Sequence, residues 1–434
     1  MIRQLFFFFS TVAIIIASGR NLELSLILAS LFCVWYFIIK FQIKWNNLLF
    51  LIFGFCFFLK FVFIPFIINI KYIDTNSLFT YSIDNLIFSV CITLFFLIAF
   101  FLGQVTTGEV TTKKIVVSDY QNKKYIKLTL SVFVLIGIFI SFNITSILQS
   151  SDNRVSAAEG TGYLFFLGYS GYLLTGYFIN EYIHYKKSIT SLCVIALVCG
   201  LFFLFRFHRG GFLYPLSFVI ITFSGLKFGF KKVFWISIFL IPLLFEINIV
   251  SSALRTEFLG TEFNFDRVLS RVESLNKEVT IPLAFGHIEL LSALLYNDIP
   301  RIYPTTFFSS FLNWVPRFIF ADKALTTGPV LALTMFPDTR TYNGGYDSSL
   351  TTGILVELYY NFKLMFFIPA FLLGFIYQKV YNYILKLEDI SILIIFLWLF
   401  GFVIFFDDLG GWINKVFICF ILAMMIQIIK KIRI

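Results

Sequence analysis

Two arginines in a short turn are the first residues of this sequence that could do chemistry. Arg206 and Arg209 flank His208 and are followed by Gly210-Gly211, between two long apolar segments. A guanidinium presents a planar fork that matches phosphate oxygens, and glycine lets the backbone come close to a ligand. This turn therefore predicts an anion site, with snorkelling of the arginines to the membrane surface as the alternative.

Carboxylates at the ends of apolar segments are the second group. Glu246 and Glu357 lie in the outer halves of the two apolar segments that bracket a long polar loop, and Asp407-Asp408 fill a later turn. A charge in the middle of a membrane costs at least about 2.5–3.5 kcal/mol on insertion scales. Each such group therefore needs a partner, a water cavity or a function, and a desolvated carboxylate suits a general base. Lys60, in the middle of an apolar segment, has a structural ion pair as its alternative explanation.

The composition places these residues in a membrane. The chain has 434 residues, of which 59% are hydrophobic and 13% are charged, and its mean hydropathy is +0.89. A soluble domain averages roughly 45–50% apolar and about 25% charged residues, so a soluble globular enzyme and a disordered chain are both excluded. In such a protein a net charge of +10 first indicates orientation, and no nucleic-acid partner is expected.

Apolar segments of the length that crosses a membrane, about 20 residues, recur along the whole chain. They are residues 5–18, 22–39, 48–70, 85–103, 125–142, 162–183, 188–205, 211–226, 231–250, 352–376, 390–406 and 412–429. The predicted fold class is therefore all-α, a polytopic integral membrane protein of about 12 transmembrane helices with one large periplasmic loop. Residues 1–250 form a bundle of about nine spans, residues 251–351 the loop, and residues 352–434 a C-terminal bundle of about three spans.

Basic residues set the orientation of these spans. With the N-terminus in the cytoplasm, the inner segments carry eighteen Lys and Arg residues and the short outer loops carry five. This bias predicts an even number of spans with both termini in the cytoplasm. A cleaved signal peptide ending near Ala17-Ser18-Gly19 is an alternative for the first span, and it would leave the orientation of the others unchanged.

The long loop has patterning of its own. It carries eight basic and ten acidic residues, and at about 100 residues it is too long for a structureless connection. Residues 288–296 predict a short amphipathic helix. The loop is therefore either a packing cap or a site-bearing ectodomain that rests on the membrane. The sequence shows no catalytic triad, HExxH or paired-cysteine motif, so neither a metal nor a cofactor is expected.

Three segments around the end of this loop resemble the Wzy-type O-antigen polymerases, the bacterial oligosaccharide repeat-unit polymerases. They are Val315-Pro316-Arg317-Phe318-Ile319-Phe320-Ala321-Asp322-Lys323, Asn343-Gly344-Gly345-Tyr346-Asp347-Ser348-Ser349-Leu350 and Gly353-Ile354-Leu355-Val356-Glu357-Leu358-Tyr359-Tyr360-Asn361-Phe362. The turn at His208-Arg209-Gly210-Gly211 is similar to an earlier outer turn of that family. Two positions depart from the family pattern, with Ala324 where proline is usual and Lys363 where glycine is usual.

The resemblance implies a GT-C-like membrane glycosyltransferase in the bacterial inner membrane. It would join oligosaccharide repeat units, carried on undecaprenyl pyrophosphate, on the periplasmic face and without a metal. A chain-length regulator protein and membrane lipid are the further partners implied. The alternatives are an O-antigen ligase, which shares this topology, and a lipid-linked oligosaccharide flippase or other transporter.

Candidate roles follow from this reaction. Glu357 ranks first as the base that activates the sugar hydroxyl, Asp408 second and Asp347 third, because the attacking hydroxyl needs a carboxylate. An ion pair with Lys363 or with a loop arginine is the alternative role for Glu357. Cations should neutralise the pyrophosphate leaving group. The candidate residues for binding pyrophosphate or glycan are Arg209, Arg317, Arg255, Lys323, Arg206, Tyr346 and Tyr359.

Overall fold

The computed structural model is helical throughout the part of the chain that it describes. That part comprises residues 2–44, 48–71, 80–108, 250, 264–277, 287–297, 305–312, 315, 319–320, 325–335, 352–386, 396, 399–406 and 408–432. These residues contain no β-strand. A helix satisfies its backbone hydrogen bonds within one segment, which is what an apolar chain needs inside a membrane.

Five helices lie in the described residues before residue 109. They are α1 (Ile2–Ser18), α2 (Leu22–Lys44), α3 (Leu48–Phe57), α4 (Ile64–Lys71) and α5 (Ile83–Val105). A π-helical segment, Phe58–Phe63, joins α3 to α4. A capping box fixes the start of α5, since the Asn85 backbone N–H donates to the Ser82 hydroxyl at 3.2 Å and the Ser82 N–H donates to the Asn85 side chain at 3.4 Å. This exchange satisfies two donors that a helix start otherwise leaves without partners.

Four shorter helices are described within the long loop. They are α6 (Phe265–Lys277), α7 (His287–Tyr296), α8 (Thr305–Phe311) and α9 (Thr327–Met335). Helix α7 confirms the helix predicted at 288–296, but residues 287–294 are all buried, so this helix presents no polar face to water. Its polar side chains find partners inside the protein instead. The Ser292 hydroxyl, for example, donates to the Ser89 hydroxyl of α5 at 3.0 Å.

The C-terminal part contains α10 (Gly353–Phe362), α11 (Phe367–Lys386) and α12 (Leu409–Ile432). A π-helical segment, Leu399–Val403, and the short helix Ile404–Phe406 precede α12. Single π-helical turns occur mostly inside α-helices and are frequent at functional sites.

Helices α10 and α11 are separated by a break at Lys363–Phe366, a 3₁₀-helical turn. Lys363 has a φ angle of 48°, in the region that favours glycine because a Cβ crowds the backbone there. This is the position at which the family pattern has glycine. The lysine adopts the unfavourable conformation nonetheless, at a cost on the order of 1–3 kcal/mol.

Four of the described helices are long and apolar enough to cross a membrane. They are Leu22–Gln42, Ile52–Ile70, Ile83–Val105 and Gly353–Lys386. They coincide with four of the predicted spans, and shorter apolar helices lie at two more, Phe8–Ser18 and Leu409–Ile421. The segment 390–406 is described only in part. The five predicted spans between residues 125 and 250 lie outside the described residues, apart from residue 250, so the number twelve and the GT-C-like fold stay predictions.

Phenylalanine rings fill the centre of the described bundle. The Phe53 ring stacks on Phe100 with centroids 4.5 Å apart and contacts Phe405 at 4.6 Å, which joins α3, α5 and the segment before α12. Helices α5 and α11 pack closely through glycine. A Cβ at Gly103 or at Gly374 would lie 2.0 Å from a backbone carbonyl oxygen of the facing helix, so only a residue without a side chain permits this approach.

Candidate active site

Glu357 of α10 is the centre of the candidate site. Its side chain has 0% exposure. One carboxylate oxygen, Oε1, accepts hydrogen bonds from the Thr352 hydroxyl at 2.8 Å and from the Leu409 backbone N–H at 2.6 Å. The other oxygen, Oε2, accepts from the Thr327 hydroxyl of α9 at 3.4 Å. Three chain segments thus converge on one carboxylate.

Asp408 lies beside Glu357 and caps α12. Its side chain accepts from the Gly411 backbone N–H at 2.9 Å, and its own carbonyl accepts from Trp412 at 2.9 Å. The Thr326 hydroxyl donates to the second Asp408 oxygen at 3.2 Å. We call Glu357 and Asp408 the carboxylate pair. Its two members are close enough for their charges to interact.

The position of the carboxylate pair follows from local structure. The N-terminus of α12 presents backbone N–H groups without helical partners, and the helix dipole favours negative charge there. Leu409 supplies one of these N–H groups to Glu357, and Gly411 supplies another to Asp408. Helix α12 therefore stabilises both carboxylates, which offsets part of their mutual repulsion in a medium of low dielectric constant.

Asn361 connects this site to two of the loop helices. It lies one turn after Glu357, and this i, i+4 spacing places both side chains on one face of α10. Its carboxamide oxygen accepts from the Thr306 hydroxyl at 2.6 Å and from the Phe307 N–H at 3.2 Å, both in α8. Its nitrogen donates to the Glu357 carbonyl at 2.9 Å and to the Thr327 hydroxyl of α9 at 3.4 Å.

A buried cation lies next to the start of α10. Lys60, on the π-helical turn, has 0% exposure. Its ammonium lies 3.2 Å from Nδ1 and 3.3 Å from Nε2 of His287, and it donates to the Phe405 carbonyl. A side chain at Gly353, where φ is 64°, would come within 2.7 Å of the His287 ring. Glycine at this position therefore lets the loop helix α7 pack against the first turn of α10.

Glu289 of α7 is another buried acid, outside the membrane-spanning helices. It accepts a hydrogen bond from the Tyr81 hydroxyl at 3.2 Å. Burial raises the pKa of Glu289 to about 7, although the hydrogen bond from Tyr81 opposes this rise. Burial and the neighbouring Glu289 also raise the pKa of Tyr81. The pair ties α7 to the residues just before α5.

The structure brings together two of the residues predicted from the sequence, Glu357 and Asp408. Tyr359, a predicted substrate-binding residue, is buried instead, with its ring against Phe366 at 6.0 Å. The Lys363 ammonium lies 5.9 Å from the Tyr359 ring centroid, and the described contacts of Glu357 do not include it. Several predicted site residues lie outside the described residues, namely Asp347, Arg206, Arg209, Arg255, Arg317, Lys323 and Tyr346, as does Glu246.

The sequence interpretation missed residues that the tertiary structure brings to the carboxylate pair. They are Thr326, Thr327, Thr352 and Asn361. Asn361 could have been found from its i, i+4 spacing to Glu357 on a predicted helix. The threonines carried no such signal, since their relation to the carboxylates depends on how α9 packs. The sequence also contained no sign that His287 would contact the buried Lys60.

The site can hold and move a proton at a carboxylate shielded from water. Among the described residues, Oε2 of Glu357 receives one donor and Oε1 receives two, so Oε2 has the greater remaining capacity to accept a proton. Glu357 has 0% exposure, so a substrate can reach it only after some of the groups that cover it have moved. Within the described residues, no group of three His, Cys, Asp or Glu side chains could hold a metal ion.

Comparison of the chain with family models, with curated proteins and with solved structures gave no match.

Proposed function

We propose that the protein is a membrane glycosyltransferase that joins undecaprenyl-pyrophosphate-linked oligosaccharide repeat units, an O-antigen polymerase of the bacterial inner membrane. The observation that carries this proposal is the carboxylate pair, in which Glu357 is buried and Asp408 is partly buried, and which adjoins the helices of the large loop. Glycosyl transfer to a sugar hydroxyl needs a carboxylate to accept the hydroxyl proton. The residues quoted for the family resemblance include Glu357 itself.

In this proposal each carboxylate has its own role. Glu357 accepts the proton of the attacking sugar hydroxyl at Oε2, since Oε1 already receives two donors. Asp408 holds the N-terminus of α12 in place and keeps the Leu409 N–H directed at Glu357. As the bond to the leaving group breaks, negative charge grows on the pyrophosphate. Arg209 and Arg317 are the proposed donors to it, because preorganised cations stabilise developing charge.

Placement of the reaction on the periplasmic face rests on the charge pattern of the sequence. Helices α8 and α9 come from the loop of residues 251–351, which the positive-inside rule places outside. Both helices contact the site, through Thr306 and Thr327. A lateral opening between spans would admit the lipid part of the substrate, while these loop helices face the glycan.

The surface glycan of a strain that lacks the gene tests this proposal. Loss of a polymerase leaves lipid A core that carries a single repeat unit on a gel, whereas loss of a ligase or a flippase leaves bare core. Restoration of the ladder by the wild-type gene is the control. Bare core in the deletion strain would overturn the proposal.

A transporter of lipid-linked oligosaccharide is the second candidate, and two observations favour it. Lys60 is a fully buried cation in the span Ile52–Ile70, and the span Gly353–Lys386 is broken at Lys363. Ionisable residues inside the membrane often mark ion pathways, and interrupted helices are typical of transporters. Translocation of the lipid-linked repeat unit across sealed vesicles, dependent on Lys60, would support this alternative.

A further inference from the structure

The carboxamide of Asn361 uses its full hydrogen-bonding capacity. An asparagine side chain can accept two hydrogen bonds and donate two. The oxygen accepts from Thr306 and Phe307, and the nitrogen donates to the Glu357 carbonyl and the Thr327 hydroxyl, at 2.6, 3.2, 2.9 and 3.4 Å respectively. The side chain is 7% exposed, so protein groups supply these four contacts.

These contacts also fix which way the carboxamide points. The Phe307 backbone N–H can only donate, so the group that faces it must be the oxygen of Asn361. A flipped carboxamide would place two donors against each other. The nitrogen is therefore directed at Thr327.

This orientation determines the direction of the Thr327 hydroxyl. Because its oxygen accepts from the Asn361 nitrogen, its proton is available to donate to Oε2 of Glu357, 3.4 Å away. Thr327 has 0% exposure, so a different orientation would leave a buried polar group without a partner, which is unfavourable. The chain of hydrogen bonds thus runs from Asn361 through Thr327 to Glu357.

This chain of hydrogen bonds ends at Oε2 of Glu357, the oxygen that is proposed to accept the proton. Oε1 is held by Thr352 and by the Leu409 N–H, whereas Thr327 alone donates to Oε2 among the described contacts. Asn361 also anchors the Glu357 backbone carbonyl. Two connections from one carboxamide therefore set the position and the orientation of the proposed proton acceptor.

We infer that Asn361 is a positioning residue for Glu357, and that it acts through the Thr327 hydroxyl. The same carboxamide forms hydrogen bonds from α10 to both α8 and α9, so it also fixes the position of these loop helices relative to Glu357. The catalytic meaning of this inference rests on the proposed function, whereas the hydrogen-bond chain can be tested without it.

The kinetic test compares the loss of a hydrogen-bond partner at the nitrogen of the Asn361 carboxamide with the loss of a partner at its oxygen. Thr327→Val removes the hydroxyl that reaches Glu357, and Thr306→Val removes a hydroxyl from the opposite side of the same carboxamide. The full-length protein in lipid vesicles is supplied with lipid-linked repeat units isolated from the deletion strain. We expect Asn361→Ala and Thr327→Val each to lower kcat on the order of 100-fold with KM nearly unchanged.

The remaining variants separate positioning from simple packing. Thr306→Val should lower kcat far less than Thr327→Val, because the Phe307 N–H still donates to the Asn361 oxygen. Thr327→Ser should restore most of the lost activity, because serine keeps the hydroxyl. The double variant Asn361→Ala/Thr327→Val should be no slower than the slower of the two single variants, since both break one chain of hydrogen bonds. Additive losses, or a loss from Thr306→Val as large as from Thr327→Val, would overturn the inference.

A second readout does not depend on transfer activity. Dicyclohexylcarbodiimide modifies buried carboxyl groups in membranes. Mass spectrometry of the peptide that contains Glu357 measures how fast this carboxyl group is modified. We expect the rate of modification to rise several-fold in Asn361→Ala and Thr327→Val, and to rise much less in Thr306→Val. If the wild-type protein forms no polymer, the proposed function is wrong. The rate of carbodiimide modification then decides by itself whether Asn361 positions Glu357. Equal rates in wild type and Asn361→Ala would reject this role.

Discussion

Replacement of Glu357 by glutamine is the most direct test of the proposed chemistry. The substitution keeps the shape of the side chain and removes its ability to accept a proton. The amide oxygen can take the place of Oε1, where Thr352 and Leu409 donate. The amide nitrogen then faces Thr327 at the position of Oε2, and the threonine hydroxyl must accept rather than donate.

The effect on folding can be bounded from these contacts. A hydrogen bond to a charged group contributes about 1.5–3 kcal/mol and a neutral one about 0.5–1.5 kcal/mol, so each of the three bonds weakens by roughly 1 kcal/mol. Removal of the repulsion between Glu357 and Asp408 offsets part of this loss. The net loss of stability should therefore be below roughly 3 kcal/mol, so we expect the protein still to accumulate in the membrane.

The effect on transfer should be much larger. General base catalysis contributes about 10²–10⁴ in rate, which corresponds to roughly 3–5 kcal/mol. Glu357→Gln should leave single-repeat glycan on a gel while an immunoblot shows normal protein. Glu289→Gln is the matched control, since it makes the same change at another buried acid, on α7, and should keep the ladder. A wild-type ladder from Glu357→Gln at normal abundance would show that Glu357 is not the base.

Four further predictions concern other parts of the chain. Because burial raises the pKa of Glu289 from 4.5 to about 7, the folded state binds more protons than the unfolded one, and stability should fall by roughly 3 kcal/mol as pH rises through this interval. Thermal unfolding in detergent should show this fall in wild type but not in Glu289→Gln. Lys363→Gly should raise the unfolding temperature, because it relieves about 1 kcal/mol of backbone strain at φ 48°. An unchanged unfolding temperature would show that the backbone at Lys363 is not strained. Arg209→Ala and Arg317→Ala should leave single-repeat glycan, with a loss on the order of 10²–10³ in rate, and the lysine variants should recover only in part. Full glycan ladders from both lysine variants would show that the arginines do not bind the pyrophosphate in a bidentate way. A reporter fused after Arg340 should be active only in the periplasm, and activity in the cytoplasm would contradict the predicted topology.

The sequence by itself determined the class of molecule and much of its described helical layout. Apolar segments near 20 residues leave a helix as the way to satisfy the backbone in lipid, and the helices α2, α5 and α10 lie at predicted spans. The sequence also singled out Glu357 and Asp408, because a carboxylate beside a long apolar segment is costly unless it has a role.

Only the tertiary structure decided how these residues meet. The two carboxylates are about fifty positions apart in the sequence, and they converge because the N-terminus of α12 stabilises both of them. Helix α7 was predicted from its apolar pattern, but its burial on all sides depended on partners in other helices, such as Tyr81 and Ser89. A hydropathy pattern shows which residues avoid water. It does not show which polar groups satisfy one another, and that pairing places Asn361 and Thr327 beside Glu357.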